Sequence, residues 1–147
     1  MTALNSMDPM HWLILGILLG LCAGSFLNVV AYRLPIMMQR EWDSDLAEAQ
    51  GREPEELPRF NLWLPASHCP ACKTPLKIWH NIPVLSFLLL RGKCGHCHSA
   101  VSWRYPIVEL LCSALFAAVA YTQPPGLSGL ALMAFAACLL VLAVIDL

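Results

Sequence analysis

The chain has little charge, and the basic part of that charge is confined to one segment. Only 13% of the 147 residues are Asp, Glu, Lys or Arg, while 58% are hydrophobic, and the mean hydropathy is +0.60. All nine Lys and Arg residues fall between Arg33 and Arg104. Soluble domains carry about a quarter charged residues, so this composition argues against a soluble domain and predicts a membrane protein.

Three stretches are almost free of charge. The first, from Met10 to Tyr32, has no Asp, Glu, Lys or Arg and supplies the roughly 20 residues needed to cross a hydrocarbon core. No base precedes this stretch, so a cleaved signal peptide is disfavoured. We predict an all-α polytopic membrane protein with an external amino terminus, three transmembrane helices and an external turn between the last two, at 1–11, 12–32, 105–121, 127–147 and 122–126 respectively.

The basic residues predict which side of the membrane the central loop occupies. Bases flank both ends of residues 33–104, and no Lys or Arg occurs elsewhere, so the positive-inside tendency places this loop in the cytoplasm. The net charge is only −1, and most acids cluster between Glu41 and Glu56. No basic patch suits nucleic acid, and we expect membrane lipid but no nucleic acid as a partner.

The loop divides by composition into two parts. Residues 39–58 are polar and acidic, and a solvated connector is favoured there over a short surface helix. Residues 60–106 are rich in aromatic residues, proline and cysteine but have too few apolar residues for a core, a shortage that a bound metal would offset. The apolar run 82–90 is too short to span a membrane, so it either packs under the metal site or dips into the membrane surface.

Two CxxC pairs in this loop predict a metal site. Four thiolates from two tight turns suit a closed, structural zinc site, so we expect a small zinc-ribbon-like domain over about 67–100. His96 and His98 are possible substitutes for one ligand. Two disulfides or a redox-active CxxC are the alternatives, and both are disfavoured if the loop lies in the reducing cytosol. The predicted metal ligands are Cys69, Cys72, Cys94 and Cys97.

Polar and small residues inside the apolar stretches have two interpretations each. Glu109 is either a helix-start residue in the first turn at the interface or a functional carboxylate. Asp146 is either a boundary residue or a carboxyl group for acid–base chemistry that needs a second carboxylate as partner. The spacing of Gly16, Gly20 and Gly24 predicts a face for close helix packing.

Several strings in the chain, taken together in this order, resemble one family. Their joint order is more specific than any one of them alone. They are Gly24-Ser-Phe-Leu-Asn-Val-Val30, Arg33-Leu-Pro35, Cys69-Pro-Ala-Cys72, Asn81-Ile-Pro83, Gly92-Lys-Cys94 with Cys97, and Arg104-Tyr-Pro-Ile-Val-Glu109. The chain is similar in these strings to the bacterial type IV prepilin peptidases.

The resemblance implies two activities and a location. Members of this family are multi-pass enzymes of the bacterial inner membrane. They cleave the short basic leader from prepilins and type II secretion pseudopilins as aspartic endopeptidases, and then methylate the new amino terminus with S-adenosylmethionine. By this resemblance Asp146 matches the first of two catalytic aspartates, Gly92 matches a glycine linked to methyl transfer, and the cysteine-bearing loop matches the family's cytoplasmic domain.

The resemblance is incomplete on one point. The family's second aspartate, in a Gly-x-Gly-Asp motif, has no counterpart among the 147 residues, and a dyad needs two carboxyl groups. We therefore expect the amino-terminal half of such an enzyme, present as a fragment or a non-functional copy, without peptidase activity of its own. Two alternatives are a non-enzymatic zinc-loop module that binds pilin-like helices and a membrane thiol oxidoreductase.

Overall fold

The structure is a computed structural model, and it describes residues 7–53, 57–69, 71–76 and 82–146. Predictions on the remaining positions lie outside the described residues. They concern the first part of the external amino terminus, two residues of the family-like strings and the last residue, at 1–6, Pro70, Asn81 and Leu147.

The described residues form four helices. They are α1 (Pro9–Ala49), α2 (Leu85–Leu89), α3 (Arg104–Thr122) and α4 (Leu127–Asp146). Helices α1, α3 and α4 are long and apolar enough to cross a membrane. The described part of the chain has two isolated β-bridges, and it contains no β-strand. The predicted all-α class is therefore confirmed, while the membrane limits and the sidedness of the loop remain predictions.

Helix α1 is much longer than a membrane crossing. Its 41 residues extend over about 60 Å, twice the thickness of a hydrocarbon core. It starts where the Asp8 side chain accepts a hydrogen bond from the Met10 N–H (2.8 Å), and it ends before Gly51, whose φ of +69° suits a left-handed helix cap. The N–H of Arg52 then reaches back to the Ala47 carbonyl (2.9 Å), as in a Schellman motif.

The continuation of α1 overturns one interpretation. Residues 39–49, for which a solvated connector was favoured, are helical. Glu, Leu, Ala and Gln are good helix formers, and adding them to an existing helix avoids the cost of nucleating a new one. Pro35 lies inside the helix and removes one backbone hydrogen bond without ending it.

The three glycines of α1 form the main helix interface, as the small-residue spacing predicts. A Cβ atom on Gly20 would lie 2.5 Å from the Ser113 Cα, and one on Gly24 would lie 2.6 Å from the Glu109 Cα. A Cβ on Gly16 would lie 2.9 Å from the Ala120 Cβ. The backbones of α1 and α3 therefore approach each other too closely for any larger side chain, and close packing is confirmed.

Hydrogen bonds tie the helices together at both ends of the bundle. The Trp12 indole N–H donates to the Gln123 carbonyl (3.1 Å) beside the 123–126 connection. At the other end the Asn28 amide donates to the Tyr105 carbonyl (3.2 Å), and Arg104 donates to the Val144 carbonyl. Helix α4 therefore returns to the end of the bundle where the loop joins α3.

Glu109 has a different position from the one predicted. Helix α3 begins at Arg104, so Glu109 belongs to the second turn, and the first-turn interpretation is wrong. The side chain is buried and accepts a hydrogen bond from the Val84 N–H (2.6 Å), directly before α2. The carboxylate thereby holds the loop against the helical bundle. In α2, Leu88 and Leu89 are exposed, and whether they meet the membrane surface remains a prediction.

Candidate metal centre and adjoining sites

The first CxxC pair forms a tight turn. The Cys69 N–H donates to the Thr74 carbonyl (3.0 Å), and the Lys73 N–H returns to the Cys69 carbonyl (2.9 Å). Lys73 has φ of +58°, a left-handed conformation that is unusual for a residue with a side chain. The hydroxyl of Thr74 lies 3.3 Å from the Cys72 sulfur.

The second pair repeats this turn at every equivalent position. The Cys94 N–H donates to the Ser99 carbonyl (2.8 Å), and the His98 N–H returns to the Cys94 carbonyl (3.0 Å). His98 has φ of +57°, close to that of its counterpart Lys73. The Ser99 hydroxyl lies 3.1 Å from the Cys97 sulfur. The two turns are therefore copies of one local structure.

The two turns bring four sulfur atoms together. These atoms all lie within 4.8 Å of one another, and the sulfurs of Cys69 and Cys97 are 3.8 Å apart. A tetrahedral ion with metal–sulfur bonds of about 2.3 Å requires sulfur separations of about 3.8 Å. The donor set and its spacing fit a metal ion such as zinc. His96 and His98 are exposed and lie outside this cluster, which consists of Cys69, Cys72, Cys94 and Cys97.

The cysteine environment favours ligand thiolates. Backbone N–H donation from Cys72, followed by the Ser99 hydroxyl, lowers the pKa of Cys69 to about 6. The Ser99 hydroxyl also lowers the pKa of Cys97. For Cys94 the Cys97 amide acts in the same direction, but burial and the neighbouring thiols outweigh it and raise its pKa. Thiolate is the form that binds metal, so part of the site is prepared before an ion arrives.

Sequence reasoning missed the two hydroxyl side chains. Ser99 lies 3.1 Å from the Cys97 sulfur and 3.6 Å from the Cys69 sulfur, so it touches both turns. Thr74 contacts the sulfur of Cys72. The signal was present in the sequence, because each CxxC is followed by a hydroxyl residue two positions later.

Gly92 lies in a separate cleft that none of the four clustered cysteines lines. Its φ is +68°, and a Cβ atom there would lie 3.0 Å from the Phe87 ring, so both backbone and space favour glycine. The Phe87 and Trp103 rings meet edge to face with centroids 4.7 Å apart. Arg91 and Lys93 also line this cleft of about 430 Å³. The cleft thus combines aromatic surface with two cations.

Asp146 lies at the last turn of α4, exposed, and is not part of the cysteine cluster. The hydrogen bond from Arg104 to the Val144 carbonyl anchors this turn beside the start of α3. Next to it, an open groove of about 280 Å³ separates Ile145 from α1 at Pro35 and Met38. The structure therefore brings the four cysteines together and leaves Gly92 and Asp146 in two other places near the loop end of the bundle.

A sequence model described as the bacterial peptidase A24 N-terminal domain matches residues 18–123. The chain belongs to the bacterial prepilin peptidase family. It is 44% identical over 141 residues to a prepilin leader peptidase/N-methyltransferase of Pseudomonas putida, covering 96% of this chain and 49% of that protein.

Other members of the family give the same result. Proteins of that name from Stutzerimonas stutzeri and Neisseria gonorrhoeae are each 49% identical, over 120 and 110 residues. The matches cover 78% and 73% of this chain and 40% and 38% of those proteins. The chain thus spans up to about half the length of these prepilin peptidase relatives. No solved structure matches it.

Proposed function

We propose that this chain is the amino-terminal, zinc-binding half of an enzyme that removes the leader from prepilins and pseudopilins and methylates the new amino terminus. The observation that carries the proposal is the relationship over 96% of the chain to a prepilin leader peptidase/N-methyltransferase. The described residues of the family-like strings lie in α1, in the loop and in the first turns of α3, and this distribution supports the proposal.

The metal in this proposal is a structural zinc ion. Four cysteine sulfurs leave no open position for water, so the ion stabilises the loop and takes no part in hydrolysis. Metal analysis of protein purified in detergent tests this assignment, with one zinc per chain expected. Cys72→Ser should lose the zinc, whereas Cys138→Ser, on the exposed surface of α4, should retain it.

Asp146 is proposed as one of two carboxylates that activate water for peptide hydrolysis. Its exposure at the loop end of α4 suits a group that must meet a substrate and a second carboxylate. The second carboxylate comes from outside these 147 residues, so we expect no hydrolysis by them alone. In membranes of the native host, Asp146→Asn should abolish leader removal, while Glu53→Gln, beyond the end of α1, should not.

Gly92 and its cleft are proposed to take part in methyl transfer. Aromatic rings suit the adenine of S-adenosylmethionine, and the Arg91 and Lys93 cations suit its carboxylate. Gly92→Ala should weaken methylation through its φ of +68° and its contact with Phe87, while leader cleavage in the same membranes continues. A parallel loss of both activities would argue against a separate methyl-donor site.

The proposed location is the bacterial inner membrane with the loop in the cytoplasm. The three membrane-type helices support a location in a membrane. The confinement of Lys and Arg to residues 33–104 supports a cytoplasmic position for the loop. The intact mass of the protein from native membranes should first be compared with the 16.2 kDa of these 147 residues. The result shows whether the assays use a longer chain or a chain of 147 residues. With the larger chain, cleavage is assayed directly. With a 147-residue chain, cleavage should appear only when a partner supplies the second carboxylate.

A further inference from the structure

The part of α1 beyond residue 33 has one face that contacts the loop and one that is exposed among the residues the structure describes. On the face that contacts the loop, Arg33 is buried and donates to the carbonyls of Asn61 (2.8 Å) and Pro65 (2.6 Å). Arg40 donates to the Pro58 carbonyl (3.2 Å) and lies 4.7 Å from the centre of the Phe60 ring. These contacts bind the loop to one side of the helix and use its two cationic side chains.

The opposite face of the same segment carries an apolar ridge. Met38, Trp42 and Leu46 follow one another at intervals of four residues and are 52%, 74% and 54% exposed. At its amino-terminal end, at Met38, the ridge adjoins the groove of about 280 Å³ between Pro35 and Ile145. The ridge therefore leads along the helix to the turn that bears Asp146.

Acidic side chains border this ridge. Helical spacing places Glu41 and Asp45 along one side of Trp42 and Asp43 along the other, and all three are exposed. Arg40 points to the loop side, so it does not neutralise them across the ridge. An acidic border is unsuited to the negative surface of a bacterial inner leaflet, which attracts basic segments instead. The charge complementarity thus favours a basic polypeptide over lipid.

We propose that the outer face of α1, formed by Met38, Trp42 and Leu46 with the acids Glu41 and Asp45, docks a polypeptide in which a basic segment adjoins an apolar helix. The apolar part packs on the ridge and in the groove, as an amphipathic helix packs in a hydrophobic groove, and the basic part meets the acids. Under the proposed function, on which this assignment of the partner rests, the docked polypeptide is the leader-bearing substrate, brought to the Asp146 end of α4.

The test measures peptide binding to the zinc-loaded protein in nanodiscs of uncharged lipid. The probe is a fluorescent peptide with a lysine-rich segment before an apolar helix, compared with a peptide in which glutamates replace the lysines. Binding of the lysine peptide should weaken with salt and should exceed that of the glutamate peptide. The double variant Glu41→Lys with Asp45→Lys should weaken it by about tenfold or more, and Trp42→Ala should weaken it by a similar factor.

Two control variants separate docking from general charge effects. Glu53→Lys makes the same charge reversal as one of the two ridge substitutions, but beyond the end of α1. Ser44→Lys adds a cation on the side of α1 that helical spacing gives to Arg40. Neither should change affinity by more than about twofold. Zinc content and helical circular dichroism confirm that each variant is folded. Equal weakening by Glu53→Lys, or unchanged affinity in both ridge variants, would overturn the proposal.

Two further outcomes identify a different occupant. The chain has five tryptophans, so Trp42 fluorescence is taken as the difference between the protein and Trp42→Ala. Quenching of that difference by brominated lipid would place the ridge in the membrane. A dimer that Trp42→Ala converts to monomer would mean that a second copy covers it, and either result overturns the proposal. Asp146→Asn should leave peptide binding intact, so a failure of docking and a failure of the proposed peptidase activity give separate results.

Discussion

The helical bundle and the loop bury different kinds of side chains. In the bundle, Trp12, Val108, Phe116, Met133 and their neighbours form one apolar core between α1, α3 and α4. Among the described residues from 57 to 103, by contrast, only Cys69 and Cys94 are buried. The bundle is held by packing, and the loop lacks a core of comparable size. A bound metal ion gives a small domain the folding free energy that its few buried apolar residues do not provide.

Metal removal should produce the largest difference in stability between the loop and the helical bundle. Chelation of the proposed zinc, or Cys72→Ser, removes the ion that would bind both CxxC turns and leaves the weaker Ser99 contacts between them. Residues 67–100 should therefore lose their protection from amide hydrogen exchange. The helices α1 and α3 should keep theirs because their contacts do not involve the metal. Cys138→Ser is the matched control, with no expected change. Unchanged protection of the loop after complete zinc removal would contradict the comparison.

Replacing Gly20 should damage the bundle and spare the loop. A Cβ atom there would lie 2.5 Å from the Ser113 Cα, so Gly20→Val must push the two helix backbones apart. Overpacking of this kind costs about 3 kcal/mol, measured as a lower denaturation midpoint in detergent. Ala134→Val, on the exposed surface of α4, is the control with the same final side chain. Zinc content should remain at one ion per chain in both variants.

Glu109 is the tie between α3 and the segment before α2, in addition to the contacts that Arg33 and Arg40 of α1 make with the loop. Glu109→Leu leaves the Val84 N–H without its acceptor, which should cost about 2 kcal/mol of local stability. Hydrogen exchange at residues 84–87 should therefore rise, while the apolar core of the bundle remains protected. Glu109→Gln retains an acceptor oxygen and should lose less. If both variants exchange equally fast, the hydrogen bond does not hold the loop.

The smallest expected effect comes from the hydroxyl groups that contact the sulfurs of the two cysteine turns. The Ser99 hydroxyl lowers the pKa of Cys69 and of Cys97, so Ser99→Ala should raise both. Protons then compete better with zinc, and the pH below which zinc is released should move upward, with affinity near neutral pH falling by about tenfold. The Thr74 hydroxyl contacts the sulfur of Cys72, whereas the Ser99 hydroxyl contacts two sulfurs. Thr74→Ala should therefore shift the pH midpoint of zinc release less than Ser99→Ala does. Zinc titration between mildly acidic and neutral pH measures both.

Much of the fold follows from patterns that repeat along the chain. Apolar length predicted the three membrane-type helices, and the spacing of Gly16, Gly20 and Gly24 predicted the α1–α3 interface, because both properties depend on neighbours in one helix. The duplicated CxxC predicted the sulfur cluster, since each turn is a local structure. The extension of α1 was missed because polar, acidic residues at a domain boundary fit a helix and a connector equally well.

The sequence by itself determined the helical class, the family and the set of cysteines that cluster, because periodicity, composition and short motifs are local properties. The tertiary structure decided the contacts between distant positions. It placed Glu109 under the Val84 N–H, Ser99 against both cysteine turns and the outer face of α1 beside the end of α4. Such contacts join residues far apart in the chain, and their partners depend on how the helices pack, which no single segment specifies.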